Sequence, residues 1–500
     1  MHTAALVLAL VAAAQAALLP RADDGPVHLT LHAPEPRRAG LDADGRHAAG
    51  RLAMYRRQQG ETLDASLTNH MESRYSVKVA IGTPPQDFLL AFDTGSPGTW
   101  VYDSECTPSM CGSHSEGFDA AKSSTYTLNN RTGLRPGVQF VTTYCNGLWG
   151  WDTVGVGNSN VQSAEAYPFL RCTEGNVTQS LAEPPGVIGF SWPIRNYPEP
   201  LWHVLVKDWK DKRFGVYLAP QSVRAGQQLR PADPNGGVLT LGGVNRDLYT
   251  GEINYVPNVV LPRKSEPSEA QNHTFWAVRV DSAAVDSSTF TPGSVAVLDT
   301  GTPLSWVPPT VWDAVYAGVQ GMVLIPETST HIFPCENAEH ARPLVLTLGG
   351  VPYTIPAAHM FLYFPGVTGA GVPGWTAGPS GRVCRAQLQA TDPKDLGYPF
   401  DWMFGDTILR LLYQVYQYDP PAVGFALVAN SASSGANSTA PASASPGGGG
   451  ITGAANTVFG ADSTTPIQPF PTPTRVSSGA GPRLVAPAAV ILALAVALLS

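Results

Sequence analysis

The sequence predicts an all-β protein built from two related halves, and two observations carry this prediction. First, the 500 residues include 50 glycines and 45 prolines, and short alternating runs such as YSVKVAI at 75–81 and TFWAVRVD at 274–281 lie between these turn formers, as is typical of strands. Second, AFDTGSPGTWV at 91–101 has a counterpart in VAVLDTGTPLSWV at 295–307. A single D-T-G is usually a plain turn, but two copies in matching apolar frames indicate an internal repeat.

The repeat extends to a second motif in each half. PPGVIGF at 184–190 and WMFGDTILR at 402–410 each place two apolar residues before a glycine, which is Gly189 in the first half and Gly405 in the second. Each glycine follows its D-T-G motif at a similar interval. Each half is therefore predicted to offer one aspartate and one apolar strand that ends in glycine.

The two aspartates, Asp93 and Asp299, are candidate catalytic residues. Two facing carboxylates cannot both ionise comfortably, so such a pair holds one proton over an acidic range. The ionised member can take a proton from a shared water, while the protonated member donates a hydrogen bond to a peptide carbonyl. This chemistry needs no cofactor and no metal. The neighbouring residues are expected to hold the carboxylates and to join the two loops: Thr94, Gly95, Ser96, Thr300, Gly301 and Thr302.

Composition and cysteine content narrow the class further. Charged residues are only 14% of the chain and the formal net charge is -8, which argues against the basic face that nucleic-acid binding needs. Six cysteines in a secreted chain favour three disulfides over metal ligation, since the sequence has no C-x-x-C and no clustered histidines. Fifteen pairings are possible in principle. The pairs that we favour are Cys106–Cys111, Cys145–Cys172 and Cys335–Cys384.

The N-terminal region is expected to be removed from the mature protein. Residues 1–16, MHTAALVLALVAAAQA, form a short apolar core that ends in a small-x-small site, as in a secretory signal peptide. Residues 17–71 are polar, contain no lysine and include the dibasic pair Arg56-Arg57. We interpret this range as a prosegment, with a disordered arm as the alternative.

The C-terminal region is predicted to be a stalk followed by an anchor signal. Residues 429–483 consist largely of Ala, Ser, Gly, Thr and Pro, which indicates a flexible or O-glycosylated segment. Residues 484–499 are apolar, only Ser500 follows them, and small residues precede them, as in a GPI-anchor signal; an intact single-pass anchor is the alternative. Four N-x-S/T sequons are candidate N-glycosylation sites: Asn130, Asn176, Asn272 and Asn437.

Taken together, these motifs resemble the pepsin-like aspartic proteases over residues 72–428. The resemblance implies a bilobal all-β fold, with an N lobe at about 72–255, a C lobe at about 256–428, a cleft between the lobes and a β-hairpin flap over the cleft. Asp93 and Asp299 match the catalytic aspartates of the family, and Trp100 matches a tryptophan that supports the flap tyrosine. The motifs are IGTPPQDFLLAFDTGS at 81–96, GWDTVGVG at 150–157, GVIGF at 186–190, LTLGGVNRDLYTGEINYVP at 239–257, VLDTGTPLSW at 297–306 and WMFGDTILRLLYQVYQYDPPAVGFAL at 402–427.

The sequence departs from the family pattern in three places. Pro97 and Pro303 follow the two D-T-G-S/T motifs and are expected to stiffen both loops. The flap is shorter than the family pattern. The flap tyrosine is predicted to be Tyr144, which fits if residues are deleted after it. Phe140 fits by ungapped spacing, and a further alternative is that Tyr144 is only a strand residue and the flap has no hydroxyl group. In the family, a prosegment lysine often pairs with the catalytic aspartates until acid releases it. Residues 17–71 contain no lysine, so either an arginine takes this place or activation proceeds by dibasic cutting after Arg57.

The favoured function is that of a secreted, cell-surface-anchored aspartic endopeptidase that resembles the GPI-anchored proteases of fungi. Its expected partners are protein or peptide substrates and, through the lipid anchor, the membrane or cell wall; we expect a monomer that binds no nucleic acid. The first alternative is a catalytically silent binding protein on the same fold, which loss of either aspartate would mark. The second is a structural wall glycoprotein, which would explain the stalk but not the paired D-T-G motifs.

Overall fold

The structure is a computed structural model of the chain, and it describes residues 62–429 with gaps. The predicted signal peptide, most of the prosegment, the stalk, the apolar tail, Phe140 and all four sequon asparagines lie outside the described residues. Among the described residues, no helix is long and apolar enough to cross a membrane. The described ranges are 62–107, 111, 117–128, 137–139, 144–157, 162–175, 184–194, 197–221, 229–261, 275–290, 293–326, 329–363, 369 and 372–429.

Strands dominate the described residues, which confirms the all-β prediction. The strands are β1 (Leu63–His70), β2 (Arg74–Ile81), β3 (Gln86–Asp93), β4 (Trp100–Tyr102), β5 (Thr127–Leu128), β6 (Gly137–Gln139), β7 (Tyr144–Val156), β8 (Gln162–Gly175), β9 (Gly186–Gly189), β10 (Arg213–Leu218), β11 (Asp233–Leu241), β12 (Tyr249–Pro257), β13 (Ala277–Val280), β14 (Ser282–Val285), β15 (Ser288–Phe290), β16 (Ser294–Leu298), β17 (Ser305–Val307), β18 (Val323–Ile325), β19 (Thr330–Pro334), β20 (Leu344–Leu348), β21 (Val351–Ile355), β22 (Phe361–Tyr363), β23 (Val383–Ala386), β24 (Leu388–Ala390), β25 (Trp402–Phe404), β26 (Leu412–Gln417) and β27 (Ala422–Val428).

Helices in the described part of the chain are short. The α-helices are α1 (Leu201–Leu205), α2 (Pro309–Tyr316) and α3 (Asp406–Leu409). The single 3-10 turns are Ala120–Lys122, Val206–Asp208, Arg246–Leu248, Cys335–His340, Ala357–His359 and Pro393–Leu396.

One large sheet joins the two halves of the chain. Its 14 strands run in the order β12-β27-β26-β10-β11-β1-β2-β3-β9-β4-β8-β7-β5, with β6 paired to β7. The C-terminal strands β26 and β27 therefore pair next to β10 and β11 of the first half. The other sheets run in the orders β13-β16-β25-β17-β24, β15-β14-β20-β21 and β18-β19-β23-β22.

The internal repeat predicted from the sequence is visible in the strand pairings. In the first half β9 pairs parallel with β3 and antiparallel with β4, and β4 pairs parallel with β8. In the second half β25 pairs parallel with β16 and antiparallel with β17, and β17 pairs parallel with β24. The first D-T-G motif begins at the last residue of β3, and the second directly follows β16. The apolar-apolar-glycine motifs lie on β9 and at the end of β25, which are the strands that pair parallel with β3 and β16.

The two repeated units share one hydrophobic core. Phe92 and Ile188 from the first half and Leu298 and Phe404 from the second are each fully buried in it. Because these residues come directly before the aspartates or lie on the strands beside them, packing of the core fixes how the two aspartate loops approach each other.

The sheet begins at Leu63 rather than at residue 72, where the sequence placed the start of the folded domain. β1 pairs with β2 on one side and with β11 on the other. Asp64 of β1 accepts hydrogen bonds of 2.6 Å from the Thr240 hydroxyl and of 2.6 Å from the Asn245 side-chain amide. The range assigned to the prosegment thus includes one strand of the folded sheet. Periodicity could not separate this strand from the polar arm because its outward positions are polar.

The six cysteines form three disulfide bonds, in the pairs that the sequence favoured. Cys106–Cys111 closes a short loop after β4, Cys145–Cys172 joins β7 to β8, and Cys335–Cys384 joins the end of β19 to β23. Two of the bonds therefore brace the first half and one braces the second.

Candidate active site

Asp93 is the last residue of β3, and its own loop holds its carboxylate. Asp93 Oδ1 accepts hydrogen bonds from the backbone N–H groups of Gly95 at 2.7 Å and Ser96 at 3.1 Å. Asp93 Oδ2 accepts a bond of 2.5 Å from the Ser96 hydroxyl. The side chain is only 6% exposed. The loop therefore fixes the orientation of both carboxyl oxygens of Asp93.

Asp299 follows β16 and is held in a similar way. Its Oδ1 accepts a hydrogen bond of 2.8 Å from the Gly301 N–H, and its Oδ2 accepts one of 2.6 Å from the Thr302 hydroxyl. Asp299 is 9% exposed. The two loops thus present two nearly buried carboxyl groups with matching support.

Two threonines lock the loops together across the two halves. The Thr94 hydroxyl donates to the carbonyl of Leu298 at 3.0 Å, and the Thr300 hydroxyl donates to the carbonyl of Phe92 at 2.7 Å. Each hydroxyl also accepts a 3.1 Å bond from the backbone N–H of the opposite threonine. These four buried bonds fix the spacing between the loops that carry the aspartates.

Each carboxyl group lies against the glycine of the opposite loop. A Cβ atom added at Gly95 would lie 2.4 Å from Cγ of Asp299, and one added at Gly301 would lie 2.8 Å from Cγ of Asp93. The two carboxyl groups therefore face each other, and the charge of Asp93 acts directly on Asp299. Glycine is required in both loops because any side chain would displace the facing carboxyl group.

Burial and the charge of Asp93 raise the pKa of Asp299 well above its ordinary value. Of the pair, Asp299 is therefore the residue that keeps a proton at acidic and mildly acidic pH. A raised pKa in the fold also means that the contribution of this group to stability is full at acidic pH. That contribution is lost as the pH rises through the pKa of the folded state.

The apolar-apolar-glycine motifs lie directly beneath the two loops. The Phe190 N–H donates to the carbonyl of Asp93 at 2.6 Å, and the Asp299 N–H donates to the carbonyl of Phe404 at 3.0 Å. A Cβ atom at Gly189 would lie 2.5 Å from the carbonyl oxygen of Ser96, and one at Gly405 would lie 2.3 Å from that of Thr302. The repeated glycines are thus explained by the close approach of each aspartate loop to its neighbouring strand.

The loop prolines and the flap candidates occupy different surroundings. Pro303 accepts a 3.2 Å bond from the Thr407 hydroxyl through its carbonyl, and Pro97 packs its backbone against Gly189.

Tyr144 begins β7 and pairs with Gln139 of β6, and residues 140–143 between these strands lie outside the described ranges. The flap role of Tyr144 stays a prediction. Trp100 is almost fully buried, with its ring 5.4 Å from that of Tyr102.

Sequence reasoning missed one further carboxyl group near the pair. Asp406, the first residue of α3, is fully buried. Burial and the charge of Asp299 raise its pKa well above the ordinary value. The signal was present in the sequence, because Asp406 follows the apolar run W-M-F-G just as Asp93 and Asp299 follow theirs.

The fold and this site define a two-lobed β protein with one supported aspartate from each lobe, which is the architecture of an aspartic peptidase. Comparison with known proteins agrees: the family model described as eukaryotic aspartyl protease matches residues 74–428. The chain belongs to this family, which makes it an aspartic-type endopeptidase. We call the first half the N lobe and the second half the C lobe from here on.

Curated relatives from distant organisms cover most of the chain. Major aspartyl peptidase 1 of Cryptococcus neoformans var. grubii is 28% identical over 76% of this chain and 74% of its own length. Human gastricsin is 27% identical over 72% of this chain and 83% of its own length. Bovine pepsin A is 26% identical over 73% of this chain and 86% of its own length.

Proposed function

We propose that the enzyme hydrolyses peptide bonds with a water molecule activated between Asp93 and Asp299. The observation that carries this proposal is the mutual approach of the two D-T-G loops. Four cross-lobe hydrogen bonds of Thr94 and Thr300 hold the two carboxyl groups against each other. A pair of facing, nearly buried carboxyl groups shares one proton, which supplies a base and an acid in the same place.

The proposed reaction has two proton transfers and no covalent enzyme intermediate. Asp93, whose carboxyl group is fixed by three hydrogen bonds from its loop, acts as the base and takes a proton from the water while the water oxygen attacks the peptide carbonyl carbon. Asp299, whose pKa is raised, donates its proton to the carbonyl oxygen, and a gem-diol forms. The gem-diol then collapses: the C–N bond breaks, the amine leaves with the proton from Asp93, and Asp299 recovers its proton from the diol.

Cleavage of denatured haemoglobin or casein tests this function. The secreted protein is expected to cleave either substrate between about pH 3 and pH 7, and pepstatin, which imitates the gem-diol with a hydroxyl group, is expected to stop the reaction. A folded, processed sample that cleaves neither substrate would instead support the binding-protein alternative. Cleavage that pepstatin leaves unchanged would contradict the proposed pair.

We also propose that the mature enzyme is secreted and held at the cell surface by a GPI anchor. Removal of residues 1–16, a Ser/Ala/Gly/Thr/Pro-rich stalk at 429–483 and replacement of the apolar tail 484–500 by the lipid follow from the sequence patterns. The place of β1 in the sheet supports cleavage after Arg57, because a cut after residue 71 would remove the strand between β2 and β11.

N-terminal sequencing of the mature protein from a eukaryotic host tests this maturation scheme. The expected first residue is Gln58, and phospholipase C is expected to release the protein from the cell surface. Changing Arg56 and Arg57 to alanine is expected to block the cut. A mature chain that begins after residue 71 would overturn the dibasic scheme, and a protein that phospholipase C cannot release would overturn the GPI anchor.

A further inference from the structure

Trp276 connects the two lobes beneath the aspartates. It lies directly before β13 in the C lobe and is fully buried. Its ring packs against aromatic rings of both lobes, with centroid distances of 4.7 Å to Trp192, 5.3 Å to Trp202 and 5.1 Å to Tyr416. An indole N–H in such a site requires a hydrogen-bond partner.

The side chain of Trp276 bonds to the N-lobe strand that supports Asp93. Its indole N–H donates to the carbonyl of Phe190 at 2.8 Å. The N–H of the same Phe190 donates to the carbonyl of Asp93 at 2.6 Å. The carbonyl of Phe190 is therefore held by a C-lobe side chain, and its N–H group holds the backbone of Asp93.

The backbone of Trp276 bonds to the C-lobe strand that carries Asp299. The carbonyl of Trp276 accepts a 2.9 Å hydrogen bond from the N–H of Leu298. Leu298 directly precedes Asp299, and its carbonyl accepts the hydroxyl of Thr94 at 3.0 Å. One residue thus bonds to the backbone next to both aspartate loops, at Phe190 in the N lobe and at Leu298 in the C lobe.

We propose that Trp276 is a positioning residue for peptide hydrolysis, which sets the separation of the two carboxyl groups through its simultaneous bonds to Phe190 and Leu298. This inference rests on the proposed roles of Asp93 and Asp299. The threonine pair locks the loops at the level of the D-T-G motifs, and Trp276 locks the strands beneath them. A shared proton requires a fixed separation of the carboxyl groups. Loss of one Trp276 hydrogen bond is therefore expected to reduce catalysis even where the fold is retained.

Trp202 makes a related bond that stays within the N lobe. Its indole N–H donates to the carbonyl of Ser191 at 2.8 Å, and the Ser191 N–H donates to the carbonyl of Ser96 at 3.1 Å. This arrangement holds the Asp93 loop against its own lobe and does not bridge to the C lobe. The bridging role therefore falls to Trp276.

The variant Trp276→Phe removes the indole N–H and keeps an aromatic ring in the core. Because one buried hydrogen bond is lost, kcat is expected to fall about five- to tenfold, and KM is expected to stay unchanged because Trp276 is buried away from substrate. If the two carboxyl groups move apart, water enters between them and the charge of Asp93 raises the pKa of Asp299 less. The pKa of Asp299 is then less raised, so the alkaline limb of the kcat profile moves to lower pH.

Trp312→Phe is the matched control. Trp312 lies on α2 in the C lobe and also donates its indole N–H to a backbone carbonyl, that of Leu388, at 3.1 Å. This variant is expected to lower thermal stability, by less than Trp276→Phe does because Trp312 is only partly buried, and to leave kcat and the pH profile unchanged. A purely structural role of Trp276 would make the two variants alike, and that result would overturn the proposal.

Two further measurements keep the outcomes distinct. Replacing Trp276 by benzothienylalanine, which puts sulfur in place of the N–H group and retains the ring shape, is expected to reproduce the fall in kcat even where Trp276→Phe does not fold. Wild type and Asp299→Asn belong in the same assay. An inactive wild type or an active Asp299→Asn would refute the proposed function, whereas an unchanged kcat and pH profile in the benzothienylalanine protein alone would refute the role of Trp276.

Discussion

Asp299→Asn is expected to reduce kcat at least about 1000-fold at every pH between 3 and 7, because the variant has no carboxylic acid to protonate the peptide carbonyl. The fold is expected to survive. An asparagine oxygen can still accept the 2.8 Å bond from the Gly301 N–H, and its amide can donate to the Thr302 hydroxyl in place of the present 2.6 Å bond. The measurement is the initial rate of cleavage of a peptide substrate by enzyme whose folded fraction is known from circular dichroism.

Stability supplies a second readout for the same variant. Since the pKa of Asp299 is raised in the fold, the wild type loses stability as the pH rises through that pKa. The amide does not titrate, so the denaturation midpoint of Asp299→Asn is expected to fall less between acidic and neutral pH. Asp286→Asn, at a half-exposed C-lobe ion pair with Arg342, is the control and is expected to leave activity unchanged. Substantial activity in Asp299→Asn would remove this residue from the mechanism.

Gly95→Ala is expected to reduce kcat by at least about 100-fold by steric displacement of the facing carboxyl group. The added Cβ atom would lie 2.4 Å from both Cγ and Oδ1 of Asp299, and contacts this short are not found in real structures. The loop has little freedom to retreat, because Thr94 holds it to the C lobe. Overpacking of this kind costs about 1–3 kcal/mol of stability, which a chemical denaturation curve would measure.

Gly98→Ala in the same loop is the matched control for this prediction. Its added Cβ atom would lie 3.2 Å from Cγ1 of Val138 and at an ordinary contact distance of 3.9 Å from Cδ1 of Tyr197, so it would approach neither carboxyl group of the pair. Activity is therefore expected to remain near that of the wild type. An equal loss of kcat in both variants would show that this loop tolerates no added methyl group at either position. The contact with Asp299 would then not be the reason for the loss in Gly95→Ala.

The sequence predicted the site through features that are local. Each D-T-G motif follows an apolar strand and each later glycine ends one, so the motifs can be recognised from the residues around them in the sequence. The contacts that require these glycines come from distant parts of the chain. The agreement of two copies then made Asp93 and Asp299 specific candidates. The structure brings both aspartates together with all six supporting residues, from Thr94 to Ser96 and from Thr300 to Thr302.

Features that depend on distant parts of the chain could not be predicted in the same way. β1 is stabilised by pairing with β11, and nothing in its own alternating pattern identifies that partner. The role of Trp276 depends on Phe190 and Leu298, which belong to different lobes and lack any mutual sequence signal. Asp406 also follows an apolar run, but Asp next to Gly is typical of a turn, so its burial beside the pair became evident only once the C-lobe strands were in place.

The most direct test of a shared proton between Asp93 and Asp299 is the pH dependence of kcat/KM for one peptide substrate. The account predicts a bell-shaped profile with an acidic optimum: the acidic limb reports protonation of the whole pair, and the alkaline limb reports loss of the proton that burial and the charge of Asp93 retain on Asp299. Only between the limbs does the pair carry one proton. A rate that keeps rising through pH 8 would contradict the account, because the reaction would then proceed with both carboxyl groups ionised.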